Sequence, residues 1–123
     1  MQRLEKRASA RKAVIVQGQR LMLPFLADVL AGAGVANVVA YRCASSQTLR
    51  RAKPDVVVLD ADAGGAEPFE LIRRARSQTP ARIVVITRTE DRAWNAVARA
   101  VGADAVLGPR ADREELFTAV AAT

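Results

Sequence analysis

This chain predicts an α/β fold, a parallel sheet covered by helices on both faces, and three observations carry that expectation. Short apolar runs recur along it, each followed by a stretch whose apolar residues fall at helical spacing. The runs Val56-Val57-Val58-Leu59 and Ile83-Val84-Val85-Ile86 lack the polar alternation of a strand with one wet face, so they read as strands buried on both sides. The units return every ~20–25 residues, as βα units do when they build a parallel sheet.

Taken in order, Ala13–Val16 is the first strand. A helix over Leu21–Ala31 places Leu23, Leu26, Ala27 and Leu30 on one face; Pro24 fits there only in the first turn, where its missing N–H costs little. Gly32 and Gly34 stop it. Asn37–Tyr41 is the second strand, and Ser45–Ala52 is a short helix ended by Pro54. The third strand is Asp55–Asp60. A Gly- and Ala-rich loop, Ala61–Ala66, leads to Pro68, which opens a helix over Phe69–Arg76 with Phe69, Ile72 and Arg73 at the helical step. Arg82–Thr87 is the fourth strand, Asp91–Val101 a helix stopped at Gly102, and Ala105–Leu107 the fifth strand. In the last helix Asp112 and Glu115 have capping-box spacing, and Leu116, Ala119 and Val120 form the buried side.

Composition bounds the function. At 123 residues there is room for one core. With no His and a single Cys, Cys43, the chain offers no His general base, no His metal ligand and no disulfide framework, which suits a reducing cytoplasm. No apolar stretch reaches membrane-spanning length, and the N-terminus lacks the apolar segment of a signal peptide. The net charge of +6 is unevenly placed. Residues 1–12 hold Arg3, Lys6, Arg7, Arg11 and Lys12 against Glu5, and are read as a basic tail. Residues 13–123, the domain proper, are left near +2, and the five aromatics are too scattered for a base-stacking platform. A solvated tail is therefore favoured over a nucleic-acid arm, and neither nucleic acid nor membrane is an expected partner of the domain.

The most telling stretch ends on Asp60, a carboxylate delivered at the carboxyl edge of a buried strand, where open α/β sheets place their ligands. Three segments follow in a characteristic order: Pro54-Asp55-Val56-Val57-Val58-Leu59-Asp60, then Val84-Val85-Ile86-Thr87, then Gly102-Ala103-Asp104-Ala105-Val106-Leu107 with Ala111-Asp112-Arg113-Glu114-Glu115-Leu116. Together they resemble the receiver domain of bacterial two-component response regulators, a CheY-like family, over about Lys12 to Ala122. The subgroup with a C-terminal LuxR/NarL-type helix-turn-helix is the nearest likeness. The resemblance implies a flavodoxin-like, doubly wound, five-stranded parallel sheet of order 2-1-3-4-5.

It also implies a phosphoacceptor at Asp60, a hydroxyl at Thr87 and a metal-coordinating backbone carbonyl at Asp62. The family's acidic metal-binding pair falls on Gln17 and Gly18, its lysine on Pro109, and its small residue after the hydroxyl on Arg88. Mg²⁺ needs hard anionic oxygens in octahedral array, and Gln plus Gly offers one neutral side-chain oxygen. The expected pocket is thus degenerate, with no metal, no cofactor and no catalysis of its own. Two readings of Arg88 follow: it pairs with Asp60 and Asp62 in place of the metal and lysine, a role otherwise open to Arg20 or Arg110, or it points to solvent.

Other candidates are weaker. Gly64-Gly65 has no phosphate-loop context, so a plain turn explains it, and Glu114 and Glu115 suit a helix N-terminus. Trp94, Val106 and Arg110 fall on the face by which receivers contact partners; for Trp94, partial burial on the domain's own surface is the competing account. The family's aromatic switch position falls on Val106. The expected function is an atypical receiver module of a bacterial regulator in signal transduction and transcription control. It would act by protein contacts with an output domain outside this chain, or as a homodimer, with a sensor kinase as a further partner. The alternatives are a working phosphoacceptor of a two-component phosphorelay using Asp60, and a domain that binds a small effector.

Overall fold

The structure is a computed structural model, and it describes residues 11–16, 23–35, 37–41, 48–61, 67–89 and 91–121. Five strands, β1 (Lys12–Val16), β2 (Asn37–Tyr41), β3 (Val56–Asp60), β4 (Arg82–Ile86) and β5 (Ala105–Leu107), form one parallel sheet of order β2-β1-β3-β4-β5. The helices are α1 (Leu23–Gly32), α2 (Thr48–Ala52), α3 (Pro68–Gln78), α4 (Arg92–Val101) and α5 (Arg113–Ala121). This is the doubly wound, flavodoxin-like arrangement, with β1 and β3 at the point where the winding reverses.

The apolar runs of β1, β3 and β4 are continuous because each of these strands feeds two cores. Ala13 and Ile15 of β1 and Val56 and Val58 of β3 pack with Leu26, Val29 and Leu30 of α1 and Leu116, Ala119 and Val120 of α5. The alternate residues, Val14, Val16, Val57 and Leu59, pack with Leu49 of α2, Ile72 and Ala75 of α3 and Ala98 of α4. Burying such an aliphatic side chain is worth roughly 1.5–3 kcal/mol, so a polar residue on either face of β3 would be costly.

Most boundaries differ from expectation by a residue or two, for local reasons. β1 begins at Lys12, which is in register with Asn37, so the pairing reaches into the segment assigned to the tail. Asp55 stands outside β3 and ties β1 to it: its N–H donates to the Lys12 carbonyl at 2.7 Å and its carboxylate accepts from the Lys12 N–H at 2.7 Å. Pro24 lies in the first turn of α1, as its chemistry requires. Gly32 is the last helical residue rather than a stop; Gly34, at φ +85°, ends the helix and lets the Val35 N–H reach the Leu30 carbonyl at 3.0 Å. Residues 21–22 and 42–47, including the expected start of the second helix at Ser45, lie outside the described residues.

α3 is longer than its apolar spacing implied. Glu67 caps it, accepting from the Phe69 and Glu70 N–H groups at 3.1 and 2.9 Å, and Pro68 is its first residue. Its buried residues are Ile72 and Ala75; Arg73, placed on the apolar face by the spacing, is exposed and pairs with Glu70. Asp91 and Asp112 likewise precede their helices as caps. Asp91 accepts from the Ala93 N–H at 2.8 Å, and Asp112 from the Glu115 N–H at 2.8 Å. Replacing Asp91 by Ala is expected to lower stability by about 1 kcal/mol in urea unfolding, with Asn retaining most of it; an equal loss for both would remove the cap from the account.

Candidate functional site

Three strand ends converge at the carboxyl edge of the sheet. Asp60 closes β3, half-buried and in register with Ile86 of β4. Past it, the Ala61 N–H donates to the Ile86 carbonyl at 2.9 Å, which keeps the two strands together one residue beyond the carboxylate. β4 ends at Ile86, so Thr87 is the first residue outside the strand rather than its last. The Thr87 N–H donates to the Leu107 carbonyl at 2.9 Å, and its hydroxyl oxygen accepts from the Thr89 N–H at 3.0 Å. With the side chain only 2% exposed, that turn fixes the hydroxyl beside the end of β4.

Beyond β5 the chain turns at once. The Ala111 N–H donates to the Gly108 carbonyl at 3.1 Å, closing a four-residue turn with Pro109 and Arg110 at its centre. Proline presets the backbone angle that the second residue of such a turn needs, which accounts for Pro109 in local terms. Asp112 then caps α5, so strand, turn and helix follow with no slack.

These elements enclose a cavity of about 170 Å³. Its polar lining among the described residues is Asp60, Thr87, Arg88 and Asp112. Its apolar walls are Phe25, Ile86, Leu107, Pro109, Ala111 and Leu116, with Gly108 between them. Of the residues the sequence singled out, Asp60, Thr87, Arg88 and Pro109 therefore come together. Arg88 is exposed, at the rim. Gln17, Gly18, Arg20, Asp62 and the Gly64-Gly65 pair lie outside the described residues. Among those described, no three His, Cys, Asp or Glu side chains cluster as metal ligands would.

The expected contact residues are placed elsewhere. Trp94 is half-buried on α4 and packs its ring on Phe69 of α3, with centroids 5.1 Å apart and planes at 38°. Much of that indole is thus spent on α3–α4 packing. Val106 is half-buried in β5 against the same core, and Arg110 is exposed in the turn. Sequence reasoning missed the apolar wall. Its one signal was Phe25, an aromatic beside the Leu23-Leu26-Leu30 stripe, which is 40% exposed at the cavity.

Comparison with solved structures identifies the architecture. A response regulator from Thermotoga maritima superposes with a TM-score of 0.76 at 22% identity, covering 91% of this chain and 98% of that one. The receiver domain of the response regulator NarL from Mycobacterium tuberculosis gives a TM-score of 0.74 at 22% identity, covering 91% and 94%. The fold is that of a response regulator receiver domain. A response regulator from Burkholderia pseudomallei, solved with a phosphorylated aspartic acid, a calcium ion and citrate, matches at 25% identity with a TM-score of 0.76. That match covers 89% of this chain and 66% of the other. No protein-family model and no curated protein matches the chain. No helix among the described residues of this receiver-fold chain is long and apolar enough to cross a membrane.

Proposed function

We propose that the chain is an atypical receiver module of a bacterial response regulator, related to the LuxR/NarL-type subgroup, that signals by protein contact without Mg²⁺-dependent phosphorylation of Asp60. The observation that carries this reading is Pro109, a turn-forming ring on the cavity wall at the position where the resemblance expects a lysine. Gln17 and Gly18 supply no carboxylate where it expects two. Phosphoryl transfer depends on positioning and on neutralising oxygen charge, and this chain lacks both the metal-binding acids and the ammonium that do so. The donor set, one neutral side-chain oxygen in place of two carboxylates, does not fit a resident divalent ion. Arg88, at the cavity rim, provides positive charge in their place.

In this role the module performs no catalysis and works in the cytoplasm, by docking on an output domain such as a helix-turn-helix, on a second copy or on a sensor kinase, without touching nucleic acid itself. Exposed Val97 on α4 and Phe117 on α5, at 44% and 41%, give the helical surface apolar contact points beside the half-buried Trp94. Incubation with acetyl phosphate and Mg²⁺, followed by intact-mass measurement, tests the reading. An unmodified mass is expected; a phosphoryl increment that disappears in Asp60→Asn would overturn it.

One observation favours the second reading, a working phosphoacceptor: Asp60 and Thr87 still line one cavity, as an acceptor and its hydroxyl partner would. The Burkholderia protein that this chain resembles carries a phosphorylated aspartate. The same mass experiment separates the two.

A further inference from the structure

We infer that a second copy of this chain docks its α1–α5 surface on the α2–α3 surface of the first, head to tail. The two helical layers of the fold carry opposite charge. α2 and α3 lie on one side of the sheet, and α1 and α5 lie on the other. On the first side Arg50, Arg51, Lys53, Arg73 and Arg74 are all exposed. The acids of α3 and its cap are already engaged. Glu67 accepts from the Phe69 and Glu70 N–H groups, and Glu70 pairs with Arg73 and Arg74. The Leu49 N–H donates to the Gln78 side chain at 3.2 Å, so α2 and α3 present these cations as one surface. Residues 42–47 and 62–66, which precede the two helices, add one base, Arg42, and one acid, Asp62. The basic excess therefore stands wherever those segments lie.

The other layer is the complement. Asp28 of α1, Asp112 at the α5 cap and Glu114 and Glu115 of α5 are exposed, against Arg113, which pairs with Asp28. Residues 17–22, before α1, add Arg20 alone, which leaves this side acidic. Phe25 and Phe117 are exposed on the same side, at 40% and 41%. Phe117 lies one helical step from Glu114, so an incoming guanidinium meets a carboxylate with a ring beside it. Arginine suits that pair of groups, since it binds carboxylates through two N–H groups and also stacks on aromatic faces. The α2–α3 side has no exposed aromatic among the described residues to stack a base, which favours a protein over a nucleic acid strand.

Two different surfaces on opposite sides of one molecule make a heterologous contact that does not close. Copies then add in a line instead of pairing about a twofold axis. Exposed ion pairs are individually weak, and the net charge of +6 sets the copies against one another. A dissociation constant of about 0.1–1 mM at low salt follows. The contact does not depend on whether Asp60 takes phosphoryl, and its failure leaves docking on an output domain or a kinase standing.

Light scattering of the full chain is the test. At about 20 mM salt the average mass is expected to rise past that of a dimer as the concentration approaches about 1 mM. By about 300 mM salt the affinity should fall at least about tenfold. Two charge-reversed variants locate the surfaces: Arg50→Glu with Arg51→Glu, and Glu114→Lys with Glu115→Lys. All four side chains are exposed, so neither variant disturbs the core. Each should stay monomeric alone, and the two mixed should form a 1:1 pair, because the mixture keeps one intact acidic layer and one intact basic surface. Glu114→Gln with Glu115→Gln takes the second place if the lysines unsettle the start of α5. The inference is overturned by a chain that stays monomeric at low salt, by association that salt does not weaken, by either variant associating like the unsubstituted chain, or by a mixture that stays monomeric. A monomeric chain that binds a short DNA duplex through Arg50 and Arg51 would overturn it as well, and would give the basic surface to a different polyanion.

Discussion

With Asp at Gln17 and Gly18 and Lys at Pro109, the chain is expected to take phosphoryl from acetyl phosphate onto Asp60 at least about a thousandfold faster than the unsubstituted chain. The acceptor is in place: Asp60 is half-buried at the end of β3, with the buried Thr87 one residue past its partner Ile86. What is absent is charge. Two carboxylates with Asp60 would give a divalent ion the hard oxygens it needs, and an ammonium would meet the charge that grows on the phosphoryl oxygens. Removing one preorganised donor from an active site costs ~10²–10³ in rate, so restoring the ion and the lysine together justifies the estimate. The acidic pair alone should restore Mg²⁺ dependence at a lower rate, because the turn at Pro109 still withholds the ammonium. Intact mass against time, with and without Mg²⁺, reads the result. Equal rates for the substituted and unsubstituted chains would refute the claim that the pocket is silent for want of charge.

The strands were legible because both faces of β3 and β4 are buried, which forces unbroken apolar runs that no other local structure explains. Strand order was implied by the family resemblance alone, and it agrees with the sheet. Helix ends were less legible. α3 runs to Gln78, past its last apolar residue, because Glu67 holds its start and the guanidinium of Arg76 holds its end. That group bonds to the Thr79 and Ala81 carbonyls and, at 3.2 Å, to the Asp104 carboxylate 28 residues on. A partner so distant in sequence leaves no periodic trace. The candidate site divides the same way. Asp60 ends a strand and Thr87, Arg88 and Pro109 lie just past one, so position along the chain placed them. The wall of Phe25, Ala111 and Leu116 is assembled from α1, a turn and α5, where apolar residues already served the helical pattern and gave no separate sign of a cavity.

Gly102→Ala is expected to destabilise the protein by roughly 2–4 kcal/mol, well beyond the ~1 kcal/mol expected for Gly34→Ala. Both glycines end a helix with the same pair of bonds. Gly34 donates to the Ala31 carbonyl while Val35 reaches back to Leu30; Gly102 donates to Arg99 while Ala103 reaches back to Ala98 at 3.0 Å. Both also have positive φ, +85° and +139°, so a side chain at either meets backbone strain. Their surroundings differ. A Cβ at Gly34 would meet nothing within 4 Å, whereas one at Gly102 would sit 2.7 Å from the Arg76 Cβ and 2.9 Å from its Cγ. The Arg76 Cβ is fixed to α3, and its guanidinium is held by Asp104, which also accepts from the Ile83 N–H at 2.8 Å. Relief therefore requires α4 to move away from α3, disturbing the Trp94–Phe69 contact and the core around Ala98. Urea unfolding of both variants measures the difference, and Trp94 fluorescence reports the α3–α4 seam directly. Equal losses at the two positions would mean that the close approach to Arg76 contributes nothing and that backbone strain alone sets the cost.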